Sequence, residues 1–166
     1  MSFTHVTLAK DLSLSSPGFA VLAVTEDGEP LILDKSHVKT TSYNVHGHRL
    51  LMIDDEIRRL IKEYKPSHVV REKGFSRFPR TTQALFKVVG CSDRTTFEMT
   101  GLEVVEIAPT SVKKIVTGDG KSTKKDVEKA VIERLRIEQD GFFETDDESD
   151  AAAVGLAFLI KEGVVN

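Results

Sequence analysis

The stretch HVTLAKDLS (5–13), SSPG (15–18), FAVLAVT (19–25), EDGEP (26–30) and LILDKSHVKT (31–40) decides the fold. Three runs rich in β-branched and apolar residues are separated by two short turn segments. Turns that tight return the chain antiparallel to itself, so the first forty residues read as a three-stranded meander. The period then changes. Leu50, Ile53, Ile57, Leu60, Ile61 and Tyr64 recur at helical spacing. Lys65-Pro66-Ser67 stops that helix, because proline lacks an N–H and disfavours helical geometry before it. His68-Val69-Val70 is a short strand, and a strand reached through a helix normally lies parallel to an earlier one.

Further on, a helix is expected from Thr81 to Val89, extending toward Met99. Glu103 to Ile107 is a strand, and Ser111 to Val116 is one or two helical turns. Ser122 or Thr123 caps a long helix with Val127, Ala130, Val131 and Leu135 on one face. Thr145 opens the last helix, with Glu148 three residues on as a capping box. The sum is an α/β protein. Its mixed five-stranded sheet has three antiparallel strands then parallel ones, flanked by helices. No repeat, low-complexity tract or linker divides it, so residues 1–166 read as a single domain.

Composition narrows the classes. Apolar content of 40% and charged content of 30% fit a water-facing globular protein. Apolar runs fall far short of the ~20 residues a membrane span needs. The N-terminus lacks a signal-peptide layout, and a cytoplasmic compartment is expected. The single cysteine, Cys91, excludes a disulfide framework and a cysteine-based zinc site. A net charge of −3 conceals an uneven distribution. Residues 1–70 carry −1, residues 71–125 carry +5 and residues 126–166 carry −7. The middle third is therefore the candidate contact surface for a polyanion.

Four acids stand out against this background. Asp11 ends THVTLAKD and Glu72 ends SHVVRE, both at strand ends where β-propensity disfavours a carboxylate. Asp147 and Asp150 form a D-x-x-D pair, which shares one helix face. Taken singly, each strand-end acid is an ordinary turn former, and TDDESD is an ordinary solvated helix start. Taken together they differ. Parallel strands put Asp11 and Glu72 on one sheet edge, where sites of such sheets form. Ala151, Ala152, Ala153, Gly155 and Ala157 let the last helix lie close and carry Asp147 and Asp150 to that edge. Clustered carboxylates raise one another's pKa unless a cation joins them. An all-oxygen set of this kind suits Mg²⁺ and points to phosphodiester chemistry.

Three other motifs carry less. Gly120-Lys121-Ser122 ends like a P-loop, but Ile115 fills the position where the earlier glycine belongs, so no nucleotide cofactor is expected. His46-Gly47-His48 lacks metal partners in sequence and reads as surface. Cys91 reads as a buried, inert thiol.

The motifs DLSLSSPG (11–18), VVREKGF (69–75), APTSVKKIVTGDGKSTKK (108–125) and DESDAAAVGLA (147–157) together resemble the RuvC family of Holliday-junction resolvases, within the RNase H-like superfamily. The resemblance runs nearly end to end. It implies an RNase H-like fold and a metal-dependent, structure-specific endonuclease that nicks four-way DNA junctions, or other branched DNA. It also implies a homodimer that places two sites on one junction. By this resemblance Asp11, Glu72, Asp147 and Asp150 are the catalytic metal ligands, for two Mg²⁺ ions with Mn²⁺ able to substitute. Lys113 and Lys124 fall on basic positions near the scissile phosphate. Phe75 falls on an aromatic position near the junction centre. Lys73, Arg77 and Arg80 surround it, and Lys114, Lys121 and Lys125 extend the basic set for DNA. Asp11 is followed by Leu-Ser where bacterial members carry Pro-Gly, and the Ser-Ser-Pro-Gly turn is closer to phage or viral relatives. Two alternatives stay open. One is an RNase H-like nuclease acting on flaps or hybrids. The other is a non-catalytic module that binds branched DNA.

Overall fold

The computed structural model describes residues 2–74 and 77–166. Phe75, assigned above to DNA stacking, lies outside the described residues. The chain runs β1 (Phe3–Asp11), β2 (Gly18–Thr25), β3 (Pro30–His37), α1 (His46–Tyr64), β4 (His68–Glu72), α2 (Pro79–Thr100), β5 (Val104–Ile107), α3 (Pro109–Thr117), α4 (Lys124–Arg134) and α5 (Asp146–Lys161). The sheet order is β3-β2-β1-β4-β5. β1–β2 and β2–β3 pair antiparallel, as the two short turns require. β1–β4 and β4–β5 pair parallel, each joined through a helix.

Strand alternation sorts the core into two layers. Leu8, Phe19, Val21 and Val69 face α1 and α2, where Ile53, Ile57, Leu60 and Val88 cover them. Ala9, Ala20, Leu22, Val24 and Val70 face α5, with α3 and α4 completing that layer. The central strands β1 and β2 are covered on both faces, which is why they read as near-continuous apolar runs.

Helix ends follow local chemistry. Lys65 ends α1 in the left-handed region at φ 47°, and Gly101 ends α2 at φ 71°. The second helix is longer than the periodic segment from Thr81, because Pro79 supplies a preformed first turn. Thr123 caps α4 with a full capping box: its hydroxyl accepts the Asp126 amide, and Asp126 accepts the Thr123 amide at 2.9 Å. At α5 only half of the expected box forms. Thr145 Oγ1 accepts the Glu148 N–H at 3.3 Å, but the Glu148 carboxylate accepts from the Glu144 N–H at 2.8 Å instead. Gly155 lets α5 settle on the sheet. A Cβ there would meet Leu22 Cδ1 at 2.7 Å and Ala9 Cβ at 3.0 Å. No helix among the described residues is long and apolar enough to cross a membrane.

Candidate active site

β1 and β4 are in register through Leu8–Val69, Ala9–Val70 and Lys10–Arg71. Asp11 and Glu72 are the next residues on the two strands, so they emerge side by side at the carboxyl edge. Both lie on the face covered by α5, because Ala9 and Val70, two residues back, lie there. On the other side of β1, Asp11 pairs with Gly18 of β2. Gly18 has no room for a side chain: an added Cβ would overlap the Asp147 carbonyl and come within 2.8 Å of Asp147 Cβ. The absent side chain is what lets the first turn of α5 close onto the sheet edge and set Asp147 beside Asp11. One turn on, Asp150 joins Asp11 and Glu72 in lining a cleft of about 270 Å³, together with Lys113 of α3 and Lys124 of α4. Lys124 Nζ donates to Asp150 Oδ2 at 2.6 Å.

Electrostatics show how close these groups are. Burial is the largest influence on Asp11, and Glu72, Asp150 and Asp147 add their repulsion; together they push its carboxyl up to about 8, against a smaller opposing pull from Lys124. Glu72 is also raised, by burial and then by Asp150, while Lys124 and Lys113 pull it down. The hydrogen bond to Asp150 raises Lys124 in turn. The site is thus an anionic cluster with two lysines at its rim and an unmet demand for positive charge. Its donors are all carboxylate oxygens, the chemistry that hard divalent cations select.

A second, tighter acidic group has a different character. His37, Glu144 and Glu148 bring ligand atoms within 4.8 Å of one another. Lys35 Nζ already sits 3.1 Å from Glu148 and 3.2 Å from Glu144, and His37 Nδ1 lies 2.7 Å from Glu148. Burial pushes the Glu148 carboxyl up, but hydrogen bonds from His37, the Glu144 amide and Lys35 more than offset it and hold it low. An ammonium fills the place a metal would take. The cluster fastens the start of α5, between Asp147 and Asp150, to β3.

The basic residues divide by place. Lys73 and Arg80 line a larger cleft of about 650 Å³, which opens onto the same Asp11 and Glu72. Arg77 is exposed just before α2. Lys114, Lys121 and Lys125 are exposed on α3, the α3–α4 turn and α4, and line neither cleft. Sequence reading missed the far wall of the larger cleft, made by His46, Arg49, Gln83 and Lys87. His46 and His48 are exposed as expected, but His46 sits 3.0 Å from Lys87 on that wall. Arg49 is buried and braces that wall, donating to Thr40 Oγ1 at 2.8 Å and Ser15 Oγ at 3.0 Å. Cys91 is half-buried on α2.

A polar layer behind the carboxylates was also missed. Lys10 is fully buried on β1, one residue before Asp11 and on the opposite face of the sheet. It donates to Ser92 Oγ at 2.6 Å and Thr96 Oγ1 at 3.1 Å, both on α2. Burial pulls its pKa down to about 7, with Asp93 raising it and Arg71 lowering it further. Arg71, one residue before Glu72, is buried beside it and donates to Glu106 at 2.9 Å.

The sheet order β3-β2-β1-β4-β5, with carboxylates at the ends of the central parallel pair and at the start of the covering helix, defines an acid-site protein of the RNase H-like class. A family model described as crossover junction endodeoxyribonuclease RuvC matches residues 8–158. The chain belongs to this RuvC family. A RuvC from Synechococcus sp. (strain WH7803) is 32% identical over 149 residues, covering 90% of this chain and 94% of that protein. One from Prochlorococcus marinus subsp. pastoris is 29% identical over 153 residues, covering 92% and 95%. The solved structure of T. thermophilus RuvC in complex with Holliday junction substrate superimposes with a TM-score of 0.86 at 23% identity, covering 96% of this chain and 97% of that one. That likeness is one of fold.

Proposed function

We propose that the chain is a metal-dependent endonuclease that nicks four-way DNA junctions, working as a single nuclease domain over residues 1–166. The observation that carries this reading is the convergence of Asp11, Glu72 and Asp150 from three separate elements on one cleft, with Asp147 beside Asp11 and Asp11 pushed up to about 8. Asp11, Glu72, Asp147 and Asp150 would hold two Mg²⁺ ions, with Mn²⁺ able to substitute. Bound there, such ions supply Lewis-acid polarisation of the phosphate and acidify a water. The chain's own part is to orient and neutralise. Asp11, with Glu72 on the neighbouring strand and Asp147 approaching over Gly18, would be the central carboxylate of the set that holds the ions. Lys113 and Lys124 stand at the rim to offset charge that builds on the phosphate. Lys73 and Arg80 face the larger cleft, where they would hold the backbone of the strand entering the site. Arg77, Lys114, Lys121 and Lys125 extend this basic surface, and Phe75 is assigned to stacking at the junction centre.

A second copy of the chain is part of the reading. Phe86 and Phe97 are 61% and 67% exposed on α2, eleven residues apart and therefore on one helix side. This apolar stripe supports a homodimer, which sedimentation at micromolar concentration would test. The reading places the protein in the cytoplasm of a bacterial or phage-infected cell. The Ser15-Ser16-Pro17-Gly18 turn is the feature read as favouring the phage side.

The test uses a synthetic four-way junction with Mg²⁺. Asp11→Asn and Asp150→Asn are expected to bind the junction with wild-type affinity and leave it uncut. Wild-type nicking by either variant sinks the assignment. Comparison with flap and RNA–DNA hybrid substrates separates junction specificity from a broader RNase H-like activity. Tight junction binding by the wild type without cleavage in Mg²⁺ or Mn²⁺ would favour a non-catalytic binding module.

A further inference from the structure

The core layer between the sheet and α1–α2 is apolar except at one end. Lys10 and Arg71 enter it side by side, as register partners on β1 and β4, one residue before Asp11 and Glu72. Strand alternation puts the two cations on one face of the sheet and the two carboxylates on the other. Burying an ammonium in such a layer costs stability unless every donor is met. Lys10 meets acceptors for two of its three donors, Ser92 and Thr96, and both come from α2. Arg71 reaches the same helix: its Nε faces Asp93 Oδ1 at 3.6 Å, both atoms buried and neither hydrogen-bonded. Its other arm reaches Glu106 on β5.

These contacts tie the two carboxylate-bearing strand ends to one helix. The N-terminal half of that helix carries Arg80, Gln83 and Lys87, which line the larger cleft opening onto Asp11 and Glu72. The same rigid element therefore touches the cleft at one end and holds the back of the carboxylates further along. The Arg71–Asp93 joint lies just outside hydrogen-bonding range, so a small approach of α2 toward β4 would complete it.

We propose that Lys10 and Arg71 are positioning residues for strand cleavage, coupling the seating of α2 against DNA to the placement of Asp11 and Glu72. The proposal rests on the carboxylate reading above. It assigns these side chains no contact with substrate. Their effect is on the geometry of the two groups next to them, where displacements of about 1 Å change rates by about 10²-fold.

The decisive variant is Lys10→Met, which keeps an unbranched side chain one atom shorter and removes the charge and donors. A residue kept only for structure would leave the single-turnover rate per folded molecule unchanged. A positioning residue would not. Lys10→Met is expected to melt at or above the wild-type temperature, because the buried charge is gone. It is expected to bind the four-way junction in Ca²⁺ within twofold of wild type, and to cleave at least tenfold more slowly at saturating Mg²⁺. Cleavage within twofold of wild type overturns the proposal, and so does a loss confined to junction affinity. Asp11→Asn runs alongside: if it cleaves, the carboxylate reading fails, whereas an inactive Asp11→Asn beside a fully active Lys10→Met fails the positioning role alone. Should Lys10→Met not fold, Asp93→Asn decides. It leaves Lys10 with its bonds to Ser92 and Thr96 and weakens only the ion pair that links Arg71 to α2. A threefold or greater rate loss at unchanged affinity supports the coupling, and a wild-type rate overturns it.

Discussion

Replacing Asp11 with asparagine should make the metal-free protein more stable while it stops cleavage. An unfolded aspartate titrates near 3.8, whereas burial and three neighbouring carboxylates push folded Asp11 up to about 8. Between those values the folded chain holds a proton that the unfolded chain has released. Stability therefore falls as pH rises, by about 1.4 kcal/mol per pH unit for this one group. Above pH 7 Lys10 acts in the opposite sense, because burial lowers it from 10.5 to about 7 and the unfolded chain then holds the extra proton. The window from pH 5 to 7 keeps most of the Lys10 change out of the comparison. Across it the ceiling is about 3 kcal/mol, or roughly 6–12 °C of melting temperature for a chain of this size. Relaxation of the cleft lowers that ceiling, and Glu72, also raised, adds a smaller slope of the same sign. Asparagine keeps the shape and carries no charge at any pH in the window. Thermal and urea unfolding in EDTA, run at half-unit steps for wild type and Asp11→Asn, measure the difference. The wild-type curve should descend and the variant curve should stay flatter, the gap widening by at least about 1 kcal/mol. Added Mg²⁺ should restore the wild type near pH 7 and leave the variant nearly unmoved, since a ligand stabilises only a state that binds it. Parallel wild-type and variant profiles would refute the claim that Asp11 is electrostatically frustrated.

Gly18→Ala places a methyl group into the Asp147 backbone. It should cost about 1–3 kcal/mol by overpacking, with a cleavage loss far larger than the loss of junction affinity, read by single-turnover kinetics beside anisotropy. Glu148→Ala strips the buried partner from Lys35 and His37. A loss of about 3 kcal/mol is expected in urea unfolding, together with slower cleavage as the start of α5 loosens. Thr123→Ala removes the hydroxyl half of the α4 capping box and leaves the Asp126 carboxylate on the backbone N–H of residue 123. It should cost about 1 kcal/mol and lower activity modestly through Lys124, which begins that helix.

Legibility followed the nature of each signal. The meander was readable because two short turns leave antiparallel pairing as the simplest return. The pairing of β4 with β1 was readable because a helix intervenes. Asp11, Glu72, Asp147 and Asp150 could be placed together because strand ends and a helix cap locate residues well. Lys10 and Arg71 were invisible as a unit. In sequence they look like ordinary charged residues in strands, and only the register pairing and the cover supplied by α2 make them a buried layer. Glu148 was readable as a capping residue but not as the hub of Lys35 and His37, because β3 lies more than a hundred positions away in sequence. The wall of His46, Arg49 and Lys87 stayed hidden for the same reason: it is assembled from two helices whose crossing no local pattern states. Gly18 carried a signal that was read too narrowly. Its place in Ser-Ser-Pro-Gly marks a turn, yet what demands glycine is the close approach of Asp147.

The two polar layers make one argument about how such a site can exist in a folded chain. Carboxylates gathered at a sheet edge repel each other and resist burial, so the scaffold must hold them against their own electrostatics. Here three fixings do so. Gly18 admits α5, the Lys35–His37–Glu148 cluster clamps the start of that helix, and Lys10 hydrogen-bonds the end of β1 to α2 while Arg71 faces Asp93 beside it. Each fixing sits within one residue of an acid, or pairs with it across the sheet. All three hold the site rigid while Asp11 stays high in pKa and short of positive charge. A cluster free to relax would spread until its pKa values returned toward normal, and its affinity for cations would fall with them. Preorganised repulsion is therefore the property the fold supplies, and release of that repulsion is what a bound divalent cation would contribute.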